Sequence, residues 1–371
     1  MRVAVIGIGG VGSAACRHLA KAGHTVVGFE QFAIGHRHGS SHGESRIIRY
    51  AYPDLLYTQM MRSAYDLWRD LQVESVEELL VPCGGLLIGR PENPLVVQTT
   101  QALRESATPF ETLSPQQSSQ RFEAIALQPH EIALYQPDAG YLRSSRCVLA
   151  NVRSARAHGA QIFENTEVTE IVERDGQAAV RLASHELAVF DGIIVTAGAW
   201  SAKLLPHLKL PLRVGRRQVI YLQIQDHYEL FAVGKFPVWI DAETLYYGFP
   251  ADGQIAGIKL ASHTLGPDID PDSGSRAICD AITADAVAQA KRRLRYVGAT
   301  VEYAQTCLYT STSNEDFILD FVPNISNVCV VSACSGHGFK FTVLMGKICA
   351  MLVTGGDVGH DLSRFKLSAA R

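Results

Sequence analysis

The sequence predicts a mixed α/β chain in which a parallel-sheet domain is interleaved with a domain built on a largely antiparallel sheet. Three observations predict it. The N-terminus reads strand, glycine turn, helix, strand within about 30 residues, the βαβ unit of a parallel sheet. Strand-then-glycine-turn patterns of the same kind recur at 192–200 and 327–353. Between them lie short runs rich in β-branched and aromatic residues, which read as antiparallel strands. The parallel-sheet elements thus sit at the start, middle and end of the chain. Residues 1–80, 141–214 and 316–371 are assigned to one domain, and 81–140 and 215–315 to the other.

In chain order, "RVAVIG" (2–7) is a nearly unbroken apolar run, as in a strand buried on both faces. In the following segment Val11, Ala14, Ala15, Leu19 and Ala22 fall at helical spacing, and Gly23 supplies a C-terminal cap. "TVVGFE" (25–30) is the next strand. Leu56, Met60, Ala64, Leu67, Trp68 and Leu71 form the apolar stripe of an amphipathic helix. "CGGLLIG" (83–89), "RQVIYLQI" (217–224) and "TLYYGFP" (244–250) are the antiparallel strands. "SRCVLANVRSARAHGA" (145–160) is helical, and "GIIVTAGAW" (192–200) is a buried strand ending in a glycine turn. The last segment, 327–353, reads strand, glycine turn, apolar helix.

Composition narrows the function. With 371 residues the chain suits about two domains at ~150 residues each. Its 47% hydrophobic and 19% charged residues are those of an ordinary globular protein. A net charge of −3 argues against a nucleic-acid partner, and no apolar run approaches the ~20 residues of a membrane span. The N-terminus lacks a signal-peptide apolar region, and "LSAAR" is no peroxisomal address. A cytoplasmic location is expected. Eight cysteines show neither CxxC pairs nor a disulfide framework, and no metal site is expected.

Gly7, Gly9 and Gly12 form G-x-G-x-x-G at a strand end, opening a helix. The first permits the tight turn, the second admits a pyrophosphate to backbone N–H groups, and the third allows close helix–strand packing. Glu30 ends the second strand, where a carboxylate accepts from ribose hydroxyls. Strand, helix and acid in register point to a bound dinucleotide. The acid argues against a 2′-phosphate, hence against NADP, but leaves NAD and FAD open. "GESRIIRYAY" (43–52) adds Arg46 and Arg49 in an otherwise apolar run, and buried arginine calls for an anion.

The stretches "VIGIGGVGSAA", "GSSHGESRIIRYAY", "YYGFP", "IKLASHTLGPDIDPD", "TCLYTSTSNEDFILD" and "SGHGFKF" span nearly the whole chain. Together they closely resemble the FAD-dependent amine oxidases of the monomeric sarcosine oxidase and N-methyltryptophan oxidase family, with peroxisomal sarcosine/pipecolate oxidases as relatives. The resemblance implies a Rossmann-type FAD-binding domain interleaved with a largely antiparallel-sheet substrate domain. It also implies a monomer that uses a small amino-acid substrate and molecular oxygen. Cys307 matches the cysteine that forms a thioether to the flavin, so covalent FAD is expected. Gly336 and Gly338 match the turn against the flavin's pyrimidine end, and His42 the flavin pocket. Arg46 falls beside the flavin ring, and Lys259 over the flavin face where oxygen is reduced. His263 falls near the substrate amine. Arg49 and Lys340 match a clamp on the substrate carboxylate, with Tyr247 and Tyr309 lining the cavity.

The implied reaction is oxidative demethylation of a sarcosine-like N-methyl amino acid, giving the amino acid, formaldehyde and hydrogen peroxide. "GSSHGESR" departs from the "GSHHGDTR" pattern of the bacterial oxidases. That departure keeps cyclic secondary amino acids (pipecolate or proline) open as substrates, alongside N-methyltryptophan. Two readings from other classes remain: an NAD-dependent dehydrogenase, which leaves Cys307 unexplained, and a non-catalytic flavin-binding module.

Overall fold

The computed structural model describes residues 1–264 and 266–369. A six-stranded sheet runs in the order Ile318–Phe321, Val328–Ser332, Gly192–Val195, Arg2–Ile6, Thr25–Phe29, Gln161–Phe163. Every neighbouring pair is parallel except the first. Alternation along the strands explains their unbroken apolar sequence, because both faces are covered. Val3, Val5, Ile194 and Val331 meet residues of the helices Gly10–Lys21, Leu55–Ser75, Ser144–Ala157 and Thr342–Thr354. Ala4, Ile6, Val195 and Val330 meet Ile171, Val180 and Phe190 of a three-stranded antiparallel sheet within 168–190.

An eight-stranded sheet supplies the second layer. Its order is Val297–Ser311, Arg213–Ile224, Ile258–Ser262, Tyr246–Gly248, Val238–Asp241, Gly85–Gly89, Ile132–Gln136, Glu111–Leu113. It is antiparallel except where Val238–Asp241 pairs with Gly85–Gly89. One face carries Ile220, Leu222, Leu260 and Trp239 into a core shared with Ala286 and Ala290 of the helix Asp280–Arg293. The opposite face carries Arg217, Val219, Tyr221, Lys259, Ala261, Cys307 and Tyr309, by the two-residue period of a strand. Apolar residues and functional side chains therefore alternate along single strands.

The helix expected over 56–71 extends over Leu55–Ser75. Asp54 caps it, its carboxylate accepting from the Leu56 N–H at 2.9 Å, a contact worth about 1 kcal/mol. The strand in "TLYYGFP" is shorter than expected, Tyr246–Gly248. Leu245 before it adopts φ +57°, and Pro250 beyond it has no N–H to donate. The helices Pro94–Glu105 and Asp280–Arg293 add elements the sequence patterns had not marked. Among the described residues no helix is long and apolar enough to cross a membrane. No cluster of three or more metal-ligating side chains occurs among them.

Candidate active site

Two cavities adjoin, one of about 400 Å³ at the carboxyl ends of the parallel strands and one of about 450 Å³ under the antiparallel sheet. Arg46, Tyr309, Gly336 and Phe339 line both. A crevice beyond the strand ends is where open α/β sheets bind nucleotides.

The first cavity is floored by the glycine turn. Gly7 has φ +86°, and a Cβ there would stand 2.7 Å from the Thr196 carbonyl oxygen. A Cβ on Gly12 would overlap the Gly7 carbonyl, so only glycine permits the turn to fold back on the helix. Gly9 caps the helix Gly10–Lys21, whose first residues, Gly10 and Val11, line the cavity; the Gly10 N–H donates to the Ser41 hydroxyl at 3.0 Å, and the helix N-terminus favours an anion beside it. Glu30 is buried and accepts from the Ile8 N–H at 2.8 Å, which locks it against the same turn. His36 Nε2 stands 3.4 Å from its other oxygen. His42 is buried with both ring nitrogens unpartnered among the described residues. Burial and the Arg46 guanidinium push its pKa down to about 3. Gly336 and Gly338 close the far side. The glycine cradle, the helix N-terminus, the fixed acid and the unpartnered imidazole fit a dinucleotide cofactor.

The second cavity gathers cations. Arg49, Lys259 and Lys340 line it together with Arg46. Among the described residues none of the four has a carboxylate oxygen within 4.0 Å. Arg46 donates to the carbonyls of Ser45 (2.9 Å), Ser40 (2.9 Å) and His42 (2.6 Å). Arg49 donates to the Ala51 carbonyl and lies over the Tyr52 ring, 4.9 Å from its centroid. Lys259 donates to the Ser45 carbonyl at 2.7 Å and hydroxyl at 3.0 Å. Lys340 donates to the Tyr52 hydroxyl at 2.9 Å and the His337 carbonyl at 2.7 Å. Burial, then the neighbouring Arg46, holds Lys259 well below the usual lysine range. Burial and Arg49 do the same to Lys340. No carboxylate among the described residues touches these charges; carbonyl and hydroxyl dipoles and aromatic faces hold them, so an anion entering the cavity meets donors already desolvated.

The remaining candidates stand around them. The hydroxyls of Tyr247 and Tyr309 are 3.1 Å apart, and burial raises both phenols above their usual range. His263 lines the same cavity and faces Glu315 at 3.4 Å. Cys307 is buried in register with Arg217 on the neighbouring strand. Burial raises its thiol pKa, while Arg46, Lys259 and Arg217 oppose that rise.

Three residues that the sequence patterns did not single out belong here. Tyr52 and His337 contact Lys340, and Arg217 lies 4.7 Å from the Tyr309 ring centroid. Tyr52 and His337 sit inside segments already marked by their neighbours. Arg217 had no signal except its place on a strand that alternates with core residues.

Comparison with known proteins agrees with this architecture. The family profile described as DAO, FAD dependent oxidoreductase, matches residues 2–352. The chain is 32% identical over 381 residues to a monomeric sarcosine oxidase of Bacillus sp. (strain NS-129), covering 99% of this chain and 96% of that one. It is 32% identical over 380 residues to an N-methyl-L-tryptophan oxidase of Yersinia pestis (strain Pestoides F), covering 99% and 98%. Among solved structures, NikD, an amino acid oxidase of nikkomycin biosynthesis, superposes with a TM-score of 0.85 at 22% identity, covering 98% of this chain and 96% of that one.

Proposed function

The chain belongs to the DAO family of FAD-dependent oxidoreductases, and from that membership we propose that it oxidises secondary amino acids of the N-methyl type at the second cavity. The observation that carries the substrate class is the convergence of Arg49 and Lys340. They come from opposite ends of the chain, line one cavity, and lack any carboxylate partner among the described residues. A planar guanidinium and an ammonium at one desolvated site suit a substrate carboxylate.

Bound FAD supplies the two-electron acceptor for oxidation of the C–H bond next to nitrogen. Gly7, Gly9, Gly12 and Glu30 would hold its pyrophosphate and ribose, and His42, Gly336 and Gly338 would flank it. Cys307 is our candidate for a thioether to the ring. Arg49 and Lys340 orient the substrate by its carboxylate. Arg46, Lys259 and Lys340 raise the local positive potential, which lowers the pKa of the bound amine and favours the neutral form that can be oxidised. Tyr247, Tyr309 and His263 wall the space beside the amine. Lys259, held by Ser45, is assigned to stabilising negative charge as oxygen is reduced.

The domain division 1–80, 141–214 and 316–371 against 81–140 and 215–315 is part of this reading. It draws support from the six-stranded sheet, whose strands lie within 2–29, 161–195 and 318–332. A monomeric state and a cytoplasmic location are proposed with it.

The test is peroxide release from the purified holoenzyme with sarcosine, N-methyltryptophan, pipecolate and proline. Peroxide from one or more of them supports the reading. Flavin that stays oxidised with all four under anaerobic conditions contradicts it.

A further inference from the structure

We propose that Tyr52, backed by His337, is a positioning residue that aims Lys340 at the substrate carboxylate; this rests on the reading of Lys340 as a carboxylate ligand.

An ammonium has three N–H donors and no acceptor. Lys340 uses two of them, on the Tyr52 hydroxyl at 2.9 Å and the His337 carbonyl at 2.7 Å. One donor is left for a ligand, and its direction is set by the other two. The Tyr52 hydroxyl must then present a lone pair to Lys340 rather than its hydrogen. His337 ensures that it does. Its Nε2 lies 2.9 Å from the Glu315 carbonyl, which can only accept, so Nε2 carries the ring hydrogen. Nδ1 is therefore the acceptor, 3.0 Å from the Tyr52 hydroxyl. The hydroxyl hydrogen points at His337 and the oxygen lone pair at Lys340. Burial and the nearby Lys340 push the His337 pKa down to about 3, which preserves this neutral tautomer at ordinary pH.

The ring of Tyr52 also sits under Arg49, the guanidinium 4.9 Å from its centroid. Tyr57 and Phe341 pack against the same ring at 5.4 and 5.5 Å, fixing its rotamer. One side chain thus touches both cations, Arg49 through its face and Lys340 through its oxygen. It sets their spacing without needing to meet the carboxylate itself.

The experiment titrates acetate into the holoenzyme, followed by flavin absorbance, and measures KM and kcat with the best substrate of the panel. Lys340→Met should raise the acetate dissociation constant about thirtyfold or more. Tyr52→Phe should raise it, and KM, about five- to tenfold while kcat changes less than about twofold. Should Lys340→Met leave acetate binding unchanged, the carboxylate reading itself fails. Should Lys340→Met weaken acetate while Tyr52→Phe does not, the reading stands and the positioning role is wrong. If Tyr52→Phe does not fold, His337→Leu should give the same loss, with His337→Gln restoring most of it because the amide keeps both a donor and an acceptor. Equal behaviour of the Leu and Gln variants would overturn the inference.

Discussion

Arg217 and Cys307 are register partners on adjacent antiparallel strands, so their side chains lie side by side on the cavity face of the sheet. Arg217 is buried, donates to the His263 carbonyl at 3.3 Å, and leaves its Nε unpartnered among the described residues. Burial raises the Cys307 thiol pKa, and Arg217, with Arg46 and Lys259, works against that rise toward the thiolate, the form of cysteine that bonds to carbon.

In acid-precipitated protein the yellow colour should stay in the pellet, and Cys307→Ala should move it to the supernatant. Arg217→Gln should slow the appearance of acid-stable colour when apoprotein is mixed with FAD in air, by disfavouring the thiolate; oxygen takes up the two electrons released when sulfur replaces hydrogen on carbon. Colour released from the unaltered protein would rule out the linkage.

The alkaline limb of carboxylate binding reports Lys340. Burial and Arg49 hold its pKa well below 10.5, and protonation is what attracts the ligand. Acetate binding should therefore weaken as pH rises, starting well short of that value. Lys340→Arg should shrink this limb, because a guanidinium keeps its proton, leaving only the part that Lys259 contributes from the same cavity. An acetate dissociation constant that is flat across the alkaline range would contradict the assignment.

Substrate oxidation should show the opposite dependence at lower pH. The bound amine must lose its proton, so the rate of anaerobic flavin reduction should climb as pH rises through the amine's lowered pKa. Together with the loss of Lys340's charge, this predicts a bell-shaped kcat/KM. A flat profile from about pH 6 to about 10, with reduction limiting, would exclude the mechanism.

Acid should destabilise the fold through buried histidines. Burial, foremost, lowers His18, His42 and His337 from 6.5 to about 3. Above 6.5 neither folded nor unfolded state is protonated, and nothing is lost. Below it the unfolded chain takes up protons that the native one refuses, so stability falls as pH drops toward about 3. The loss at pH 5 should be roughly 2 kcal/mol per histidine. Urea unfolding at pH 7 and pH 5 measures it, and His18→Leu should shrink the difference by about a third, the share of one of the three rings. Equal stability at the two pH values would show that these rings are more solvated than their surroundings imply.

Local signals were legible in the sequence, and long-range ones were not. The glycine turn at Gly7, Gly9 and Gly12, its helix and Glu30 lie within one βαβ unit, so their relation follows from spacing and backbone sterics. Lys340 on a helix start reads on its own as a solvated lysine. It is buried, and Trp68, on a helix far away in sequence, donates its indole N–H to the Lys340 carbonyl at 2.8 Å. Tyr52 lies in the marked stretch "GESRIIRYAY", yet its partner is 288 residues distant. Arg217 depends on strand register against Cys307, which no pattern within its own strand reveals. Resemblance to a family marked Lys340 and Cys307; only the fold brought forward Tyr52, His337 and Arg217.

Arg49 and Lys340 meeting on one substrate carboxylate should be visible in anaerobic flavin reduction followed by rapid mixing. With the best N-methyl or cyclic amino acid of the panel, Arg49→Met and Lys340→Met should each lower the second-order rate of reduction by about thirtyfold or more. With the corresponding amine lacking the carboxylate, at a pH where that bound amine is neutral in all three proteins, the two variants should differ from the unaltered enzyme by less than about threefold. Equal losses with both substrates, or no loss with either, would mean that Arg49 and Lys340 do not bind the carboxylate together.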